Sequence, residues 1–405
     1  MPSLTVLCGV LELLGPRIDR GRIPFLPHLR TETSDSRFWP AVVDRVLRRP
    51  LLSCLLAGGL LVALSLPALG LQIAKPSNES LSAQGEPALR ALSRVRTTFP
   101  STAAPAILVV AAPRADEAAV RRAIGRLEEL AAARGIAHPP FTLNPSADAR
   151  AAAVELPLTG AGDNTASRRA IEILRRDLVP QTLGRLGGVE TAVTGDTAED
   201  VDFTRQMKQG TPYVIAFVLS LAFLVLLVAF RSIVVPLKAI ILNLLSVGAS
   251  YGVLVLVFQH RWAQPLLGFT SNGTIISWLP LFLFVILFGL SMDYHVFILS
   301  RVREAVDAGM PTDDAVLHGI TVTAGVVTSA ALVMVAVFSL FGSLSSLELK
   351  QGGVGLATAV LIDATLVRAV LLPSTMTLLG ERNWYLPRTL QRVLHAQPSR
   401  LPAEP

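Results

Sequence analysis

Asp293, Tyr294 and His295 stand in succession inside GLSMDYHVFI (Gly289–Ile298), a run otherwise apolar enough to lie in hydrocarbon. A carboxylate at mid-membrane depth costs roughly 2.5–3.5 kcal/mol on insertion scales, and acids kept there usually face a bundle interior and serve ion or proton pathways. Removal from water favours the neutral form, so gaining and losing a proton is the chemistry Asp293 offers. Arg301 lies about 12 Å further along a helix, too far for the short side chain of Asp293 to share its contact with water. Tyr294 brings a phenolic hydrogen for a facing carboxylate, although a tyrosine at this depth also serves packing. His295 titrates near neutrality and could shuttle protons, but it falls on a different helix face from Asp293. Gly289, one turn before Asp293, would let a neighbouring helix approach the acid closely.

A second intramembrane acid, Asp363, is followed five residues later by Arg368. A direct ion pair is one account of the two, and snorkelling of Arg368 to the interface is another. Asp363 and His295 are therefore further relay candidates beside Asp293 and Tyr294. Lys238, close to a helix start, is expected to snorkel. Asn243, Ser246, Thr328 and Ser329 are expected to hold helices together rather than to touch substrate. His138 has no second ligand at metal spacing, and no metal site or cofactor is expected. Walker, GxGxxG and Ser-His-Asp arrangements are missing from the sequence, so neither ATP-driven pumping nor hydrolysis is supported, and an enzyme is not expected.

The elements that must position these residues are membrane helices. The chain is 51% hydrophobic and 16% charged, with a mean hydropathy of +0.53, the composition of a membrane protein. Six stretches approach the 20 apolar residues that cross a bilayer: Leu51–Leu71, Pro212–Phe230, Ile233–Phe258, Ile275–Leu299, Ile320–Phe341 and Val354–Leu372. Arg17, Arg20, Arg22, Arg30, Arg37, Arg45, Arg48 and Arg49 precede the first, which places the N-terminus on the cytoplasmic side. Arg231, Arg301 and the basic tail (Arg382, Arg388, Arg392, Arg400) then share that side, and residues 72–210 lie outside the inner membrane. No basic-aromatic motif suggests nucleic acid. Cys8 and Cys54 suggest no disulfide framework.

Within 72–210 the patterning alternates: strand at Pro105–Ala112, helix at Asp116–Arg134, a weak edge strand near Ile136–Leu143, strand at Ala151–Leu158, helix at Thr165–Leu183 and strand at Val189–Thr194. The order βαββαβ is that of a ferredoxin-like split. The chain thus divides into a cytoplasmic N-terminal segment (1–50), a first span (51–71), an outer α+β domain (72–210), a five-helix bundle (211–379) and a basic tail (380–405). PSLTVLCG (Pro2–Gly9) also echoes PSTMTLLG (Pro373–Gly380), as though the N-terminus were the closing turn of a preceding repeat.

FRSIVVPLKAIILNLLSVGASYGVLVLVF (Phe230–Phe258), SWLPLFLFVILFGLSMDYHVFILSRVREA (Ser277–Ala305) and GLATAVLIDATLVRAVLLPSTMTLLGERNWYLPR (Gly355–Arg388) together resemble the MmpL family of the RND transporter superfamily. The resemblance implies one repeat, six helices with a porter domain, preceded by a remnant of the inter-repeat linker. It implies proton-driven export of lipids or other hydrophobic molecules across the cytoplasmic membrane, with Asp293 and Tyr294 matching the family's proton-relay pair. No second Asp-Tyr pair occurs in a span, so a complete relay would need a second repeat, from a homodimer or a separate chain. Three readings stay open: a dimeric half-transporter, a fragment needing a separate first half, and a non-transporting lipid sensor or protein-translocation accessory.

Overall fold

The structure is a computed structural model that describes residues 38–74, 91, 94, 95, 98, 105–113, 117–160, 165–260, 263–269, 271, 273–387 and 390. The Pro2–Gly9 echo, Cys8, the arginines before Phe38, and Arg388, Arg392 and Arg400 lie outside the described residues.

Helix α1 (Phe38–Arg48) carries Val43 and Val46 on its buried face. Pro50, harmless in a first turn where no intrahelical donor is needed, opens α2 (Pro50–Ser65), which a 3₁₀ turn extends to Gly70. Strand β1 (Ile73–Ala74) follows.

A four-stranded antiparallel sheet comes next, from β2 (Pro105–Ala111), β3 (Thr142–Pro145), β4 (Ala151–Pro157) and β5 (Glu190–Thr194), in the spatial order β3-β4-β2-β5. Its helices are α3 (Ala118–Ala133) and α4 (Thr165–Ile173), the latter prolonged by a π turn at Leu174–Leu178. In β2 every second residue (Ala106, Leu108, Val110) is buried, and these pack on Ile124, Leu127, Ile171 and Leu174 in a core of their own. The weak strand lies later than the pattern suggested, at Thr142–Pro145, and all four residues are exposed; Ala137 contributes only an isolated bridge to Leu158. Two prolines in succession at Pro139–Pro140 supply no N–H for a ladder, which explains the shift.

Helix α5 (Asp196–Phe230) runs without interruption from this sheet unit into the membrane-length bundle, about 52 Å at 1.5 Å per residue. The boundary placed at 210/211 falls inside this one helix, which accommodates Pro212. Arg168 meets Asp200 at 2.9 Å, and Arg175 grips Asp202 at 2.5 and 2.8 Å and the Val193 carbonyl at 2.6 Å, rooting α5 in the sheet unit.

The bundle continues with α6 (Val234–Leu254), a short α7 (Gln264–Leu267), strand β6 (Ile275–Ile276), α8 (Leu279–Asp307), α9 (Thr312–Ser343), α10 (Leu347–Ile362), a π-helical stretch at Asp363–Leu371, and α11 (Leu372–Leu379) ending in a 3₁₀ turn at Gly380–Trp384. Among the described residues, six helices are long and apolar enough to cross a membrane. The fourth starts at Leu279 rather than Ile275, because Ile275 and Ile276 pair in parallel with Ile73 and Ala74. At that sheet end Gln351 accepts from the Ile276 N–H (3.1 Å) and donates to the Thr274 carbonyl (3.3 Å). Glycines set the tightest crossing: a Cβ on Gly252 would fall 1.6 Å from the Leu64 carbonyl oxygen, so α6 and α2 touch backbone to backbone.

At the far end the chain folds back on itself. Ser232 donates to the Asn383 carbonyl (2.5 Å), Lys238 Nζ donates to Asn383 Oδ1 (3.0 Å), and the Arg303 guanidinium lies 4.7 Å over the Trp384 ring. Lys238 is buried, not snorkelled; the turn at Gly380–Trp384 covers it and supplies the oxygen it would otherwise seek in water.

Candidate functional site

Helix α8 presents two different faces to its surroundings. Phe282, Val285, Gly289 and Asp293, three or four residues apart, form one exposed stripe, as helical periodicity requires. Leu287, Ser291, His295 and Ile298 lie on the buried face. Asp293 thus points out from the flank of this chain's bundle, and the interior-facing acid is Asp363 instead. No atom of another helix lies within 4 Å of a Cβ built on Gly289, so the close approach expected there is not made by any described part of this chain.

Asp363 is 5% exposed and forms an ion pair with Arg368, also 5% exposed. On an α-helix residues five apart are about 140° apart around the axis, and the two would diverge. The π-helical stretch, whose bonds run from i to i+5, brings them onto one side. Snorkelling of Arg368 is thereby replaced by the ion pair. Its guanidinium also lies 4.4 Å over the ring of Tyr294, a cation–π contact. Tyr294, half-buried, therefore sits between outward Asp293 and the inward pair.

Ser291, which the sequence reading passed over, is the hub. Its hydroxyl lies 2.9 Å from Asp363 Oδ1 and 2.7 Å from Asn243 Oδ1. One hydroxyl has one hydrogen, so it donates to only one of these oxygens at a time. The other group must donate in return: either Asn243 with its amide turned, or Asp363 when protonated. His295, 0% exposed, has Nδ1 at 3.1 Å from the Ser291 carbonyl, which only accepts. Nδ1 therefore carries the hydrogen, and Nε2 is left as a bare acceptor with no partner among the described residues. Arg368 Nε is likewise unpartnered there. A void of about 20 Å³ bordered by Asn243, Ser291, Asp363 and Arg368 adjoins the cluster, and about 10–15 Å³ suffices for one water molecule.

Of the residues singled out for helix contacts, Asn243 bonds across helices, whereas Thr328 and Ser329 bond to carbonyls of their own helix. His138 is exposed and contacts Thr159 at 3.2 Å. Groups of three metal-ligating side chains are absent among the described residues. Ser291 carried a signal in the sequence after all, being a hydroxyl one turn before His295 in an apolar run. Asn243 carried none beyond its depth.

The sequence model of the MMPL family matches residues 80–400. The chain is 34% identical over 372 residues to the mycolic acid-containing lipids exporter MmpL11 of Mycolicibacterium smegmatis, an alignment covering 90% of this chain and 38% of that protein. It is 33% identical over 374 residues to the heme uptake protein MmpL11 of Mycobacterium tuberculosis, with coverages of 90% and 38%. It is 27% identical over 423 residues to the trehalose monomycolate exporter MmpL3 of Mycolicibacterium smegmatis, with coverages of 96% and 41%. The chain spans about two fifths of the length of these relatives.

Proposed function

The chain belongs to the MMPL family, and from that membership we propose that it is one repeat of a proton-driven exporter of lipids, in which Asp293 and Tyr294 receive the proton and the Asp363 cluster senses it. The observation that carries this reading is that Tyr294, next in sequence to Asp293, lies under the guanidinium of Arg368, which pairs with Asp363 and through it reaches Ser291 and Asn243. An ionised Asp293 on a lipid-facing flank would cost a few kcal/mol, so the stripe of Phe282, Val285, Gly289 and Asp293 is covered by a second repeat, from another copy or a separate chain. Its small and apolar residues suit close helix packing.

The cluster has two self-consistent hydrogen-bond arrangements. With Asp363 ionised, Arg368 neutralises it, Ser291 donates to it and Asn243 donates to Ser291. With Asp363 protonated, its hydroxyl donates to Ser291, Ser291 donates to Asn243 Oδ1, and Arg368 is released. A proton crossing 100 mV supplies about 2.3 kcal/mol, enough to bias two such states more than tenfold. Nε2 of His295 is the nearby base that could hold the proton in transit. Helix α5 would carry the resulting shift to the sheet unit, whose strand order supports the ferredoxin-like porter reading. Residues 72–210 then lie outside the cytoplasmic membrane and both termini inside.

The names of the relatives favour a lipid cargo, MmpL3 and one MmpL11 being lipid exporters. Replacement of Asp293 by Asn is expected to reduce lipid export by cells expressing the chain to background while membrane insertion is unchanged. Export that survives this change, or that survives collapse of the proton gradient, would rule the relay out.

A further inference from the structure

At the sheet end of the bundle a cleft of about 860 Å³ opens between α9, α10 and the α7 turn. Its origin lies in the residues. A Cβ on Gly353 would lie 2.5 Å from the Gly342 nitrogen and 2.6 Å from the Phe338 carbonyl oxygen, so α9 and α10 are in backbone contact there. Beside that contact, Ser339, Gly342, Val354 and Thr358 are too small to fill the space between the helices, and Leu267 and Gly268 roof it.

One lining residue is out of place in such a hollow. Lys350 is 4% exposed. Its ammonium donates to the carbonyls of Leu267 and Gly268, the latter at 3.4 Å. Two carbonyls take two of its three hydrogens, and no described carboxylate pairs with its charge. A buried cation with a free donor, in a cleft that combines apolar side chains (Val335, Val354, Leu361) with the hydroxyls of Ser339, Ser343 and Thr358, suits an anion that brings a largely apolar body with it. Along α10 the lining runs from Lys350 to Leu361, about 16 Å at helical rise, against about 15 Å for half of a bilayer's hydrocarbon core.

We propose that this cleft binds an anionic phospholipid of the sheet-side leaflet, its phosphate at Lys350 and one acyl chain laid along α10 toward Leu361. The site is far from Asp293 in the sequence and its occupancy is read without any transport step, so it stands or falls apart from the relay.

The test uses the full chain in membranes holding phosphatidylglycerol and phosphatidylcholine in equal amounts, extracted in mild detergent, with the retained lipid quantified by mass spectrometry. Wild-type protein is expected to retain phosphatidylglycerol at least fivefold over phosphatidylcholine. Lys350→Gln should lower that ratio by at least threefold, and Lys350→Arg should keep it. Thr358→Trp, which puts an indole across the acyl path along α10 and leaves the lysine intact, should lose the retained lipid. A preference unchanged by Lys350→Gln would mean that surface arginines such as Arg45 and Arg48 account for it, and would overturn the proposal, as would full lipid retention in Thr358→Trp. If Lys350→Gln does not accumulate, the Thr358→Trp result decides alone.

Discussion

Asp293 and Asp363, carboxylates near the middle of membrane-length helices, are held in opposite surroundings. Asp363 is enclosed, paired with Arg368 and bonded by Ser291. Asp293 lies on the open flank of the same bundle, with Phe282 and Val285 for neighbours on its stripe. The enclosed acid is part of what holds this chain together. The open one contributes nothing visible to the chain's own packing, so a requirement for it has to come from outside the fold: from proton transfer, from a second repeat, or from both.

That contrast fixes an order of effects on the stability of the isolated chain. The largest belongs to Arg368→Met, which leaves the Asp363 carboxyl buried without its cation. A buried pair broken on one side typically costs about 3–5 kcal/mol, and a drop of that size is expected in denaturant or thermal unfolding in detergent. Adding Asp363→Asn in the same chain should restore most of it. No recovery in the double variant would show that Arg368 acts mainly through Tyr294, which would break the comparison.

Glycines on the closed and open sides give the next effect. Gly252→Ala drives a methyl into the Leu64 carbonyl and should cost at least about 1–3 kcal/mol, the usual range for overpacking. Gly289→Ala meets nothing within 4 Å and should leave unfolding of the isolated chain unchanged. If Gly289→Ala were as damaging, the flank would have to be occupied by this chain itself.

The smallest effect concerns the residue between the two acids. Replacing Tyr294 by Leu removes the ring under Arg368 and should cost about 0.5–2 kcal/mol, whereas Tyr294→Phe keeps the ring and should be close to neutral. A Phe variant that is stable but does not export would assign the phenolic hydroxyl to the relay rather than to packing.

How far these features were legible follows from the physics of each. The six membrane-length helices could be read because hydropathy over some twenty residues is a local property, and the strand and helix order of residues 105–194 because alternation and helical period are local too. Asp293 stood out for the same reason, a charge in a hydrocarbon-length run. Asp363 stood out as well, with a direct ion pair to Arg368 as one of two open accounts, but the choice between them and the rest of the cluster depend on facts that the sequence does not express residue by residue. The pairing of Asp363 with Arg368 requires a π-helical register, and the link from Ser291 to Asn243 and Asp363 joins three helices. Lys238 was misread for a similar reason: the oxygen that satisfies it sits on Asn383, which reaches it only when the chain folds back at Gly380. The early strand at Ile136–Leu143 failed because two prolines deny it a ladder until Thr142.

The parallel pairing of Ile73 and Ala74 with Ile275 and Ile276, with the amide of Gln351 clamped beside it, has a mechanical corollary. It staples the entrance of α8 to the exit of α2 at the roof of the bundle, while among the described residues no comparable clasp grips the α8 residues next to Asp293 on their open side. Arg303, held over Trp384, fastens the other end, so the helix would yield by bowing between its two supports rather than by swinging about one. Asp293, at the midpoint of Leu279–Asp307, sits where such a bow would displace it furthest.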